Sequence, residues 1–187
     1  MKKVKFLTIS IFAIALFASC SDDDVPEPVN EEEVITTLTV TLIDYDVIGP
    51  PGEIIMEYQD LDGDGPDAGT VTVSGTLKAN TSYDGSIVLL NETEDPAENI
   101  TEEIEEEDLD HQFFYTVGSG LDVTTEYTSF DSAGNPLGLT FELNTAGASS
   151  GGLTFTLRHE PNKPNTGLAD AGGETDIEVT FDVAVVD

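Results

Sequence analysis

The chain has 187 residues, with six lysines and arginines against 38 aspartates and glutamates, and a formal net charge of −32. Charge of this sign and size repels phosphate backbones and anionic headgroups, which excludes nucleic acid as a ligand. Tryptophan is absent and there is one cysteine, so a stacked-Trp sugar platform and an internal disulfide are excluded as well.

Lys2, Lys3 and Lys5 precede an apolar run at residues 6–17. Twelve residues are too few to span a bilayer, which takes about 20. The pattern predicts an export signal over residues 1–19. Beyond it, Lys78, Arg158 and Lys163 face all 38 acids. Phe17-Ala18-Ser19-Cys20 resembles a bacterial lipobox, in which small residues precede a cysteine whose thiol is acylated. Phe17 stands where leucine is usual. An ordinary signal peptide with an incidental cysteine is the alternative, but Cys20 sits where the small-residue site is required. Ser21-Asp22-Asp23-Asp24 then resembles the surface-export signal of Bacteroidota lipoproteins. That resemblance implies an outer-membrane lipoprotein facing outwards, anchored through Cys20 by acyl chains worth about 0.8 kcal/mol per buried CH₂. A periplasm-facing tether with an acidic start is the competing expectation. Residues 21–33 combine prolines and acids without apolar periodicity, so residues 20–33 are predicted to be the acylated cysteine and a tether.

From residue 34 the pattern has period two. Leu38, Val40 and Leu42 alternate with Thr37, Thr39 and Thr41, and Ile54, Met56 and Tyr58 repeat the alternation after Gly49-Pro50-Pro51-Gly52. Similar short runs surround Val71, Ile87, Phe113, Val123, Phe141 and Phe155, and a last one covers residues 177–185. About nine strands with frequent turn signals predict an all-β, antiparallel sandwich, immunoglobulin-like or transthyretin-like, as a single domain over residues 34–187. The 131–136 stretch reads as a hairpin loop and the small residues at 146–152 as another loop.

One segment breaks the alternation. Asp95 as N-cap, Pro96 at the first helical position and Glu98 at the third predict a helix that ends at 108–110. Ala97, Ile100 and Ile104 share its apolar face. Glu105, Glu106, Glu107 and Asp108 crowd its negative end, at a cost of a few tenths of a kcal/mol per charge, about what the dipole imposes. Solubility or a cation accounts for them better than helix stability does.

Two arrangements suit metal chemistry. Asp60, Asp62 and Asp64 alternate ahead of Gly65, with Asp67 close behind, which matches the first half of an EF-hand-type Ca²⁺ loop. The twelfth position is Val71, not a bidentate glutamate, and the flanks read as strands, so an acidic hairpin turn explains the same residues. The second arrangement is the histidine pair. His111 shares parity with Phe113 and Tyr115, and His159 with Phe155 and Leu157. If the two strands are antiparallel neighbours, both rings meet at one rim, beside Asp108, Asp110 and Glu160, in a set suited to Zn²⁺ or Cu²⁺. Two unrelated rim histidines are the alternative, since no H-x-H or H-x-x-x-H spacing exists. Arg158, the one arginine, is expected to pair with carboxylates, and Lys163 to neutralise the same rim.

The chain holds no G-x-S-x-G and no H-E-x-x-H, and its cysteine is committed to the anchor, so no catalytic role is expected. Leu90-Asn91-Glu92-Thr93-Glu94-Asp95-Pro96, His111-Gln112-Phe113-Phe114-Tyr115, Leu157-Arg158-His159-Glu160-Pro161-Asn162-Lys163 and Gly172-Gly173-Glu174-Thr175-Asp176-Ile177 resemble a group of small acidic lipoproteins of marine and soil Bacteroidota. Similar chains have carried the label "type 1 periplasmic-binding fold", but that fold needs repeated βαβ units and one helix is predicted here. The resemblance implies work beside a TonB-dependent outer-membrane transporter. The expected function is a non-catalytic accessory module that captures a ligand or cation. The alternatives are an assembly subunit of an envelope complex with a Ca²⁺-stabilised turn, or a carbohydrate-binding module using Tyr58, Tyr83 and Tyr127.

Overall fold

Alternation of buried and exposed side chains builds most of the predicted strands. The computed structural model describes residues 33–45, 52–62 and 68–187, all within the compact unit Glu32–Asp187. The signal and anchor residues, Cys20, Ser21, Asp22, Asp23 and Asp24 among them, lie outside the described residues. So do Asp64 and Asp67.

The strands are β1 (Thr37–Asp44), β2 (Gly52–Gln59), β3 (Thr70–Val73), β4 (Leu77–Lys78), β5 (Ser82–Leu90), β6 (His111–Val117), β7 (Val123–Tyr127), β8 (Thr140–Thr145), β9 (Ser149–His159) and β10 (Glu174–Val186). Two short helices interrupt them, α1 (Ile100–Glu106) and α2 (Leu168–Ala171). Six strands form one sheet in the order β3-β2-β1-β5-β8-β7, and four form the other in the order β4-β10-β9-β6. The result is an all-β sandwich. Its pairings are antiparallel except β4 on β10, which is parallel.

Inward residues of both sheets make one core. Leu38, Val40, Leu42, Leu89, Phe141 and Leu143 come from the larger sheet, and Phe113, Leu153, Phe155, Leu157 and Phe181 from the smaller. The Phe155 ring lies 5.7 Å from Phe141 across the sandwich and 5.9 Å from Phe181 on the neighbouring strand. Truncating such a ring costs about 3–5 kcal/mol.

Three local expectations need correction. α1 starts at Ile100, not at Pro96, because Asn91 and Glu98 exchange two backbone hydrogen bonds that close residues 91–98 into a turn outside the helix. Ala97 is exposed, while Ile100 and Ile104 anchor the helix in the core. Residues 149–152 are not loop: Gly151 and Gly152 pair with Val183 and Asp182 of β10, and Gly152 also accepts a hydrogen bond from Gly118. The 131–136 turn does form, closed by a Phe130–Pro136 bridge and by the Asp131 carboxylate, which accepts from the Ala133 and Asn135 amides.

Candidate metal centre

β9 is the hub of the centre, since it pairs with β6 on one side and β10 on the other. In the β6–β9 register His111 stands directly opposite His159. Both share inward parity with their strands' core residues, so both rings turn into the sandwich at its rim. Their centroids are 4.6 Å apart and the planes are tilted by 60°. Both histidines are buried.

The carboxylate that meets them is Asp176, which the sequence pattern does not single out. Strict alternation from Ile177 would place Asp176 on the outer face. The β9–β10 register, however, shifts between Thr175 and Ile177, leaving Asp176 as an extra residue in a β-bulge. A bulge re-aims a side chain, and this one turns Asp176 inward, where its side chain is fully buried. Oδ2 lies 4.0 Å from His111 Nε2, and Oδ1 lies 3.8 Å from His159 Nδ1.

The protonation of His111 follows from its other nitrogen. Nδ1 is 3.1 Å from the carbonyl oxygen of Glu107, which only accepts, so Nδ1 carries the hydrogen. Nε2 then presents a lone pair towards Asp176. Burial holds the His111 imidazole below its ordinary pKa, with the Glu107 carbonyl opposing and the His159 ring reinforcing the shift. His111 is therefore a neutral ring at neutral pH. Its Nε2 and His159 Nδ1 make no hydrogen bond. Two buried nitrogens and a buried carboxylate thus converge, with all three donor atoms within 4.8 Å of one another. A Zn²⁺ at 2.0–2.1 Å from such donors sets them about 3.3–3.6 Å apart, so the three groups must draw together to ligate one ion. The Nδ1–carbonyl bond of His111 is the kind of outer contact that orients a metal-binding imidazole.

The expected carboxylates lie elsewhere. Asp108 accepts from the amide and hydroxyl of Ser132, at 2.7 and 3.0 Å. Asp110 and Glu160 are exposed, and their contribution is a backbone hydrogen bond from the Glu160 amide to the Asp110 carbonyl. A second acidic group does adjoin the rings: Glu33, ahead of β1, and Glu107, after α1, each bring an oxygen within 4.8 Å of a His111 ring nitrogen and of each other. Further out on α1, desolvation pushes the Glu103 carboxyl up to about 7, aided by its hydrogen bond to Glu33 and by the charges of Glu33 and Glu98.

Arg158 donates to the Gly173 carbonyl at 3.3 Å, a backbone partner where a carboxylate was expected. Lys163 is nearly buried and donates to the carbonyls of Asp108 and His111 and to Asp131. It braces the start of β6 from behind. Asp60 of the expected calcium loop accepts from the Tyr58 hydroxyl at 3.1 Å. Neither Asp60 nor Asp62 belongs to a converging donor group among the described residues. Of the three tyrosines proposed for sugar stacking, Tyr83 is in the core, and Tyr127 donates to the Phe113 carbonyl.

No family model, curated protein or solved structure matches the chain.

Proposed function

We propose that this protein is a lipid-anchored accessory module of the outer membrane that captures a divalent transition-metal cation, Zn²⁺ or Cu²⁺, between His111, His159 and Asp176. One observation carries the reading: two buried imidazole nitrogens without hydrogen bonds face the same buried carboxylate. A buried lone pair left unused costs free energy, and a cation between the three groups recovers it. Mixed nitrogen and oxygen donors favour Zn²⁺ or Cu²⁺ over Ca²⁺, which prefers oxygen alone. Full burial of the donors suits holding an ion better than turning over a substrate. The lipobox-like Phe17-Ala18-Ser19-Cys20 and the acids after it support attachment at the cell surface, beside a TonB-dependent receptor that would take the captured cation.

Calorimetry and thermal melts of the EDTA-treated protein with Zn²⁺, Cu²⁺ and Ca²⁺ test the proposal. One equivalent of Zn²⁺ or Cu²⁺ should bind and raise Tm, and His111→Ala or His159→Ala should abolish both effects. Silence with both transition metals removes the proposal. A Ca²⁺ response that survives loss of the histidines would instead report the 60–67 turn.

A further inference from the structure

A sheet ends in strands whose outer backbone groups lack a neighbour, and such edges pair with other chains unless something guards them. Among the described residues the larger sheet ends in β3 and β7, and the smaller in β4 and β6. β6 is closed: the Phe113 amide donates to the Leu137 carbonyl, and the carbonyls of His111 and Phe113 accept from Lys163 and from the Tyr127 hydroxyl. β4 has two residues, and its Lys78 amide donates to the Tyr83 hydroxyl while its carbonyl accepts from Thr145. β7 carries a charge of its own, Glu126. β3 has none of these guards. It reads Thr-Val-Thr-Val, four β-branched residues with neither charge nor proline.

The ladder shows which β3 backbone groups are open. Ser74 donates to the Ile55 carbonyl, so these two form a hydrogen-bonded pair in the β2–β3 register. Such pairs alternate, which makes Glu57–Thr72 and Gln59–Thr70 the next two. The amides and carbonyls of Val71 and Val73 therefore point away from β2, off the edge of the sheet. Thr70, Val71 and Thr72 are all exposed, Val71 by 45%. On the outer face Glu57 stands beside Thr72, and Glu53 lies further along β2.

We infer that β3 is a docking edge for an extended, basic strand of another protein, which adds to the larger sheet through the backbone of Val71. A second copy of this chain is a poor occupant, because each copy brings a net charge of −32. A strand with lysine or arginine at every other position is complementary. Neighbouring strands lie about 4.8 Å apart, so a lysine opposite Thr72 can extend across β3 to Glu57. The residues between the basic ones then fall on the face of Val71 and are best apolar. Main-chain hydrogen bonds supply affinity in this mode, and the alternating side chains supply selectivity. The metal donors sit on β6, β9 and β10, so strand addition at β3 stands without them.

Fluorescence anisotropy of the full protein with a labelled peptide of alternating lysine and valine is the test. The peptide should bind saturably, and its glutamate–valine counterpart should not. Val71→Pro removes the outward amide at a place where an edge strand tolerates proline. It should weaken binding at least about tenfold, the scale of one backbone hydrogen bond, whereas Val71→Thr keeps the amide and should stay within about threefold. Hydrogen exchange on the parent protein gives a second readout that needs no variant. The basic peptide should slow exchange of the Val71 amide and leave the Thr72 amide, already paired with Glu57, unchanged. Absence of binding, equal binding of the acidic peptide, parent-like binding by Val71→Pro or unslowed Val71 exchange would each overturn the inference. A dimer of the parent protein in sedimentation equilibrium that Val71→Pro dissolves would overturn it as well, since a second copy would then occupy the edge.

Discussion

His111 and His159 face each other across the β6–β9 pair, one at the first residue of its strand and the other at the last of its own. That register places two imidazoles where only the rim of the sandwich lies beyond them. The bulge in β10 then brings the Asp176 carboxyl group towards both rings. The nitrogens that face the carboxylate, His111 Nε2 and His159 Nδ1, make no hydrogen bond. They gain much from a cation that all three can bind.

Asp176→Asn separates charge from shape. The amide keeps the volume of the side chain but is a far poorer metal ligand. Zn²⁺ affinity should fall at least about tenfold, since even outer-sphere partners of metal ligands carry 10–100-fold effects. The metal-induced rise in Tm should shrink correspondingly, while the metal-free Tm changes less. Titration calorimetry and melts with and without EDTA check this. Parent-like Zn²⁺ affinity in the variant would remove Asp176 from the site.

Much of this arrangement was legible in the sequence, and the illegible part has a definite cause. Period-two alternation at Leu38, Val40 and Leu42 or at Phe113 and Tyr115 reports a half-buried strand directly, and parity then carries His111 and His159 inward. Asp176 escapes the same logic because a bulge breaks parity at the residue that matters, and nothing in Glu174-Thr175-Asp176-Ile177 announces an extra residue. Gly151 and Gly152 pair in β9 yet carry no side chain to alternate. The two-residue β4 and four-residue α2 span about one period of their patterns, too little for a periodicity to repeat. α1 starts late because the Asn91–Glu98 bridge, a tertiary contact, overrides an N-cap signal that is locally sound.

Lys163→Met tests the brace behind β6. The Lys163 ammonium and the Asp131 carboxylate are 3.0 Å apart, with side-chain exposures of 6% and 0%. Burial opposes ionisation of Asp131, but the Asn135 amide and Lys163 outweigh it and hold the carboxyl below its ordinary pKa. Removing the cation leaves a buried charge and two carbonyls without their donor, which should cost about 3 kcal/mol. Urea unfolding at neutral pH measures it. Adding Asp131→Leu should restore part of the loss, because no charge is then stranded.

Glu103→Gln addresses pH. The folded-state pKa of Glu103 is raised from 4.5 to about 7. Between those values the native state keeps a proton that the unfolded chain releases. The carboxyl therefore contributes stability in full below the lower value and loses it as pH rises through the upper one. In EDTA, the urea midpoint of the parent protein should decline from pH 5 to pH 8 more steeply than that of the variant. Parallel profiles would show that the Glu33–Glu103 contact does not hold a proton.

Gly173→Ala asks whether the metal centre depends on how β10 is joined to β9. Gly173 has φ of +70°, a conformation that costs an L-residue about 1–2 kcal/mol. A Cβ there would also lie 2.2 Å from the His159 carbonyl oxygen and 3.0 Å from the Glu160 carbonyl carbon and oxygen. Both neighbours are backbone and cannot swing aside, so the start of β10 must move away from the end of β9. That movement separates Asp176 from His159, which sit on the two strands being parted. Destabilisation of at least about 2 kcal/mol is expected on urea unfolding, since both strain and clash contribute. Zn²⁺ binding should weaken in the fraction that remains folded, a loss that Gly134→Ala should not reproduce. Gly134, in the 131–136 turn, also has positive φ, at +88°, but a Cβ added there would meet nothing within 4 Å.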